Sequence, residues 1–439
     1  MESLTKHWKL AALIISSTFV YCWFGYFLDR SNFSEVVIGF SLCFAAYAYF
    51  IRYKKVKSLG FYLFLGILFR LLFLLSVPTL SDDYFRFIWD GQLSLNGLNP
   101  FDALPTEVLA EFPNKQALLN GMNSPNYFTV YPPVAQFIYF VCAWLSPNSI
   151  YGSVIVLRVL IFLCELGTLL LLPKLLSSLK LDPNKALLYA LNPLVIVELT
   201  GNLHFEGFMI FFLLLAVFLL VQQKNSLSAL AWGLAAAVKL LPLLLLPIFI
   251  RKLKVGQALL FYLLVGFVFL ALWLPFYSST MIEHLQQSVN LYHATFEFNA
   301  SIYYLIRWLG FELVGYNVIG IVGAWLSKIA IVLMVLLFIR RSNNVWPNFF
   351  NSLLLGMAVY YFLALIIHPW YLCTLVFLSV FTQYRFAIVW SGMVILSYFS
   401  YSNADFQENY WLIAAEYCLV FFILVKDLKR NSLNLTTAT

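Results

Sequence analysis

An all-α, polytopic integral membrane protein is the fold class that the sequence predicts, on three observations. Of 439 residues, 62% are hydrophobic and 11% charged, and mean hydropathy is +0.85, which leaves too little polar surface to cover a soluble globule. Apolar runs of membrane-spanning length recur along the chain, and each satisfies its own backbone polar groups as a helix. The Lys and Arg behind the net charge of +7 fall in short clusters between those runs. They form no basic face, so the bilayer accounts for them and nucleic acid does not.

Runs near 9–27, 35–51 and 59–78 come first, and "RYKKVK" at 52–57 marks the connection between the second and third as cytoplasmic. Residues 79–131 are then outside. Further spans are expected near 150–173, 186–200, 207–222, 258–275, 315–339, 346–366, 371–384, 386–400 and 410–426. The stretch 227–250 has the length of one span, but Lys239 lies mid-run with Pro242 just after it. A single crossing would put "RKLK" outside, so two short or broken helices meeting near Lys239 are expected. The total is then about 12–14 transmembrane helices with both termini cytoplasmic. The first run is too long for a cleavable signal and reads as a signal anchor. Three regions follow: an N-terminal hairpin (1–58), a catalytic membrane core (59–372) and C-terminal helices with a short cytoplasmic tail (373–439).

The connections are asymmetric. Cytoplasmic ones are short, whereas 79–131 and 276–314 are long enough to fold on the outer surface. No internal repeat with matched interruptions marks a transporter. All six cysteines, Cys22, Cys43, Cys142, Cys164, Cys373 and Cys418, lie in or beside apolar runs, which suggests neither a loop disulfide nor a zinc site. His293 and Glu297 have helix-face spacing without a third ligand nearby, so no metal is expected.

Within 79–131 the acids are Asp82, Asp83, Asp90, Asp102, Glu107 and Glu111, against Arg86 and Lys115. The last three acids read as a solvated loop. Asp82 and Asp83 emerge at the end of a span, where limited water lets a carboxylate be tuned toward general-base work.

"SDDYFRFIWDGQLSLNGLNPF" followed by "YFTVYPP" resembles the first extracytoplasmic loop of the C-type (GT-C) polyprenyl-phosphate-sugar-dependent glycosyltransferases. The similarity is to their bacterial mannosyltransferase-like branch and to the catalytic subunit of the first glycosylphosphatidylinositol mannosyltransferase. Asp83, Gly97, Pro100-Phe101 and Tyr131-Pro132-Pro133 match the motif, which makes Asp83 the counterpart of the catalytic Asp and Asp82 an extra neighbour. Ser81 stands where the earlier Asp of the family's Asp-X-Asp form would be, which removes the usual basis for a metal. "LNPLVIVELTGNLHFEGF", "AAAVKLLPLLLLP", "FNASIYYLIR" and "HPWYL" extend the resemblance over most of 59–372.

The resemblance implies transfer of a hexose, mannose foremost, from a polyprenyl-phosphate donor to a glycan or lipid-linked acceptor with inversion, in a bacterial inner membrane with the site facing outward. Asp83 would be the base, and no cofactor is implied. Lys239, Arg307 and His368 are candidates to hold the lipid phosphate; Arg86, Asp90, Tyr131, His204 and Glu206 are candidates for substrate contact. Plainer readings compete. Lys239 can simply snorkel, His368 in "HPWY" can belong to an aromatic belt, and His204 and Glu206 can be solvated turn residues. Arg158 and Glu165, seven apart on one helix face, read as a structural ion pair, and Arg70 needs an unnamed partner. A flippase of lipid-linked glycans is the alternative function, and a non-catalytic assembly subunit a third. Asn32-Phe33-Ser34 and Asn299-Ala300-Ser301 match short glycosylation patterns.

The placement of the basic clusters sets a first prediction. Cysteines introduced near residues 115 and 405 react with impermeant reagents from outside, and ones near 55 and 343 do not. Inward labelling at 115 would overturn the outward-facing site.

Overall fold

The structure, a computed structural model, describes residues 2–53 and 57–436, with side chains over 8–53, 57–291, 295–431. Lys54 and Lys55 of the first basic cluster and the His293 side chain lie outside the described residues.

The chain opens on α1 (Glu2–Tyr26), α2 (Phe33–Arg52) and α3 (Leu59–Leu71). Segment 79–131 carries α4 (Asp83–Leu95) and α5 (Lys115–Gly121), and α6 (Pro133–Leu145) and α7 (Ile150–Ser178) follow. Short pieces come next: α8 (Leu187–Ala190), α9 (Pro193–Val195) and a π-helical turn (Ile196–Gly201). Then come α10 (Glu206–Val221), α11 (Asn225–Val238), α12 (Leu241–Leu244), α13 (Phe249–Lys252) and α14 (Val255–Trp273). Segment 276–314 folds as α15 (Met281–Ala294) and α16 (Ile302–Val314). The chain ends with α17 (Ile319–Arg340), α18 (Trp346–Leu363), α19 (Leu372–Ser379), α20 (Phe386–Met393), a 3₁₀ stretch (Val394–Ser402) and α21 (Tyr410–Thr436).

Among the described residues five helices are long and apolar enough to cross a bilayer, or six if the pieces Pro193–Gly201 and Glu206–Val221, bent by 113°, count as one span. This is a multi-pass membrane protein, but many of the expected 12–14 runs are built from shorter helices. Proline is the recurrent cause. Pro193, Pro242, Pro247 and Pro369 each open a short turn where the preceding helix has stopped, because proline lacks the N–H that continues the ladder. The expected break at Lys239 is present: α11 stops at Val238 and Lys239 is extended, with φ −151° and ψ 138°. The sequence reading passes over α6, a short apolar helix that packs on both α4 and α7.

Helix α4 belongs to a loop by sequence position yet is buried on almost every side, from Tyr84 and Arg86 through Leu93. Gly91 permits this, since a β-carbon there would stand 2.2 Å from the Tyr139 carbonyl oxygen on α6. Gly97 ends the helix in the left-handed region at φ 73°, which only glycine adopts without strain. The two long loops also dock on each other: Asn99 donates to the Phe276 carbonyl at 2.9 Å, Ser278 donates to Asp102 at 2.5 Å, and His284 stacks on Phe128 at 3.8 Å.

The buried cations correct one expected pairing. Glu165 bonds Arg70 on α3 at 2.9 Å and accepts from Tyr189 at 2.6 Å, all three side chains being fully buried. Arg158 instead donates to backbone carbonyls: Thr200 at 2.9 Å, Gly201 at 3.0 Å, and Ser76. Residues seven apart do share a helix face, but two turns of rise, about 10 Å, keep their head groups apart. Asn299 of the second glycosylation pattern is fully buried and bonds Glu416 at 3.2 Å, so it offers no acceptor.

Removing one partner of a buried pair strands the other charge, at a cost of about 3–5 kcal/mol. Arg70→Met is expected to lower the unfolding midpoint of the purified protein strongly, and Arg70→Met with Glu165→Gln to recover part of the loss. No recovery in the double variant would mean that lost packing, not the stranded carboxylate, dominates.

Candidate active site

Asp82 is the N-cap residue of α4, but its side chain makes no cap bond. It pairs instead with Arg30, from the turn between α1 and α2, at 2.5 Å. The Arg30 guanidinium also lies over the Tyr401 ring, 4.9 Å from its centroid. Asp83, one residue on and half-buried, accepts from Asn123 at 2.9 Å through one oxygen. Its other oxygen has no hydrogen-bond partner among the described residues. The acid pair is therefore asymmetric: Asp82 is neutralised by a cation, and Asp83 keeps an oxygen available.

A second group assembles around the bend between the π-helical turn and α10. Glu198, fully buried, accepts from Tyr398 at 2.6 Å and Asn202 at 3.2 Å. His204 turns its Nε2 to Glu198 at 3.4 Å and stacks on Trp370 at 3.8 Å. His368, on the connection between α18 and the 3₁₀ turn Pro369–Tyr371, stacks on the same Trp370 at 4.3 Å. Lys239 is ion-paired with Glu206 and lies 4.9 Å from the Tyr371 ring centroid. Three buried atoms here, His204 Nε2, Glu206 Oε2 and His368 Nδ1, have no hydrogen-bond partner among the described residues. Buried polar atoms in native proteins are nearly always paired, so such a group of orphans marks a place for a polar ligand. Tyr401 joins the two groups, since Arg30 lies over its ring and Tyr398, the donor to Glu198, packs on it at 5.6 Å.

The structure thus brings together Asp82, Asp83, His204, Glu206, Lys239 and His368. The remaining candidates lie elsewhere. Arg86 and Asp90 pair with each other at 2.8 Å, both buried. Arg86 also donates to the carbonyls of Ser124 and Tyr127, and Asp90 accepts from Thr129 at 2.6 Å and Gln136 at 2.9 Å. Their polar atoms lash the loop to α4. Tyr131 sits edge-on to Phe87 at 5.1 Å and to Tyr139 at 5.7 Å. Arg307, on α16, is ion-paired with Glu297 at 3.2 Å and donates to the Tyr410 hydroxyl at 2.6 Å in a separate outer cluster. Among the described residues no three of His, Cys, Asp or Glu converge as metal ligands.

Arg30, Glu198, Trp370, Tyr398 and Tyr401 were not singled out by sequence. Glu198 carried a usable signal, a carboxylate inside an apolar run, where an ionisable group is functional by default. Arg30 carried none, because its partner is remote in sequence.

Fold and site together define a polytopic, all-helical membrane protein with a carboxylate pair linked to a group of His204, His368 and the Lys239–Glu206 ion pair. A sequence model of the alpha-(1→6)-mannopyranosyltransferase N-terminal domain family matches residues 14–253, and the chain belongs to that family. It is also 32% identical, over 174 residues, to alpha-(1→6)-mannopyranosyltransferase A of Mycobacterium tuberculosis (strain ATCC 25618 / H37Rv), an alignment covering 38% of this chain and 32% of that protein. The chain therefore spans about a third of the length of that relative. The family match over 14–253 includes Asp82, Asp83, Glu198, His204, Glu206 and Lys239, and ends before Arg307 and His368.

Burial, with His204 and Lys239 nearby, pushes the His368 imidazole down to about 3, so it is neutral at ordinary pH. An unfolded histidine titrates near 6.5. Above that pH neither state is protonated; below it the unfolded chain takes a proton that the folded one refuses, and stability falls from about pH 6.5 downward toward 3. Thermal unfolding followed from pH 7 to 5 is expected to show a smaller acid-induced loss in His368→Gln than in the wild type. Equal losses would assign the effect to another group.

Proposed function

We propose that the chain transfers a hexosyl unit, mannose foremost, from a polyprenyl-phosphate donor to a glycan or lipid-linked acceptor on the outer face of a bacterial inner membrane, with inversion. The observation that carries this reading is the chain of contacts that runs from Asp82, beside the available Asp83 oxygen, through Arg30, Tyr401 and Tyr398 to Glu198 and so to His204, Trp370 and His368. Membership of a mannopyranosyltransferase family supports the sugar and the reaction class.

In this mechanism Asp83 accepts the proton of the acceptor hydroxyl as its oxygen attacks the anomeric carbon. The bond from that carbon to the phosphate oxygen breaks, and polyprenyl phosphate leaves with the electron pair. A lipid phosphate is a good leaving group, so a positioned base and donors for the phosphate supply the needed stabilisation. Lys239 is the charged donor. Its pairing with Glu206 holds the ammonium at the helix break, and an ammonium carries three hydrogens, so two remain for a phosphate. His368, neutral, contributes an N–H and not a charge. Asp82, held by Arg30, fixes the start of α4 and so the direction of Asp83.

Asp83→Asn keeps the shape and the Asn123 neighbour but removes the base. Turnover of polyprenyl-phosphate mannose by the purified protein in nanodiscs is expected to fall by about 100-fold or more, with donor binding retained. Asp82→Asn is expected to cost less. Lys239→Met should instead lose donor affinity. Wild-type turnover in Asp83→Asn would sink the assignment, and a dead Asp82→Asn with an active Asp83→Asn would transfer the role to its neighbour.

A further inference from the structure

Beyond the site above, a trough opens between Glu297–Phe298, ahead of α16, and the connection 403–409 with the start of α21. Two contiguous cavities of about 240 and 450 Å³ share Gln407, Glu408 and Tyr410 in their walls. Phe298, Phe406 and Trp411 complete the apolar part, and Asp405 adds an outer carboxylate. The larger of the two is of ligand-site size. The side of a sugar ring that carries C–H bonds rests on aromatic faces, and its hydroxyls need carboxylate and amide partners. Phe406, Tyr410 and Trp411 are exposed large aromatics, and Gln407 and Asp405 are exposed polar ones.

Two further observations bear on this trough. Phe406 and Asn299, the residue after Phe298, hold left-handed backbone at φ 53° and 47°, a costly state for residues with a β-carbon that concentrates at functional sites. The trough also adjoins the proposed catalytic group: Phe298 packs on His368 at 5.0 Å and Phe406 on Tyr401 at 4.8 Å. Its charged lining is acidic, from Glu297, Asp405 and Glu408, while Arg307 is engaged by Glu297 and Tyr410. An anionic ligand is thereby disfavoured.

We infer that this trough binds the chain of a neutral oligosaccharide acceptor and delivers its terminal hydroxyl toward Asp83. The inference rests on the proposed transferase reading for the direction of that chain, but the binding itself does not. It lies wholly beyond residue 253, where the family match ends, so the acceptor would be held by a part of the chain other than the one bearing Asp83 and Lys239.

The test is binding without donor, read by intrinsic fluorescence and by calorimetry on the full-length protein in nanodiscs. The probes are methyl α-mannoside and an α-1,6-linked mannotetraose. The wild type is expected to bind the tetrasaccharide about tenfold more tightly than the monosaccharide, and Trp411→Ala and Gln407→Ala are each expected to erase most of that ratio. Gln407→Ala removes an exposed amide, so a loss there does not depend on α21 tolerating the change at Trp411. An unaltered ratio in both variants, or equal affinity for the two sugars in the wild type, overturns the trough. If the tetrasaccharide binds as expected but no sugar is transferred from polyprenyl-phosphate mannose, the trough stands and the transferase reading falls.

Discussion

The arrangement of the site depends on one buried guanidinium. Arg158 of α7 donates to the carbonyls of Thr200 and Gly201 at the end of the π-helical turn, and to that of Ser76 just before the acid pair. Those carbonyls have lost their helical partners where the helices stop, and in a dry interior each would otherwise be an unsatisfied acceptor. A single planar fork with several donors meets both needs at once. It thereby ties the strand of chain leading to Asp82 and Asp83 to the strand leading to His204. Asn202 adds to the same joint, accepting from the Leu80 backbone at 3.3 Å and donating to Glu198 at 3.2 Å. The two halves of the site are thus tied through their backbone as well as through Tyr401.

Electrostatics then divides the charged groups into two kinds. Arg70 and Glu165 sit within helices, close at 2.9 Å, with Tyr189 and the Ala190 carbonyl taking further bonds. They are saturated, and their desolvation cost is offset locally. Around Trp370 the pairing is incomplete: Glu206 keeps one buried oxygen without a partner and His368 one nitrogen. An interior that is incompletely paired costs stability unless a ligand completes it. The same reasoning separates Asp83 from Asp90, which has its oxygens filled by Arg86, Thr129 and Gln136.

The membrane class and the break at Lys239 were legible because composition and proline position are local properties. Pairings were not. Glu165 shares a helix face with Arg158 but meets Arg70, 95 positions away, and helix periodicity is silent on which neighbouring helix lies against that face. Arg30 reaches Asp82 across 52 positions for the same reason. Arg86 and Asp90 are four apart and do pair, yet nothing in a loop-like stretch announces that α4 will be buried. That depended on Gly91 allowing the Tyr139 carbonyl to approach, a contact only the assembled fold reveals.

The site residues are dispersed from Arg30 to Tyr401, yet they share one local circumstance. Arg30 lies in a turn between helices, Asp82 and Asp83 at a helix start, His204 in the bend before α10, Lys239 at the end of α11, and His368 ahead of a 3₁₀ turn. A continuous helix at membrane depth has no spare backbone donors and points its side chains sideways into neighbours or lipid. Where a helix breaks, the side chain at the break projects along the axis into whatever space the end opens. Polar groups then meet there without crossing lipid, and irregular backbone is tolerated because it lines that space. Glu165, in the middle of α7, meets only Arg70 from the last turn of α3 and Tyr189. The interruptions that reduced the number of long spans are the same features that bring the polar groups of the candidate site together.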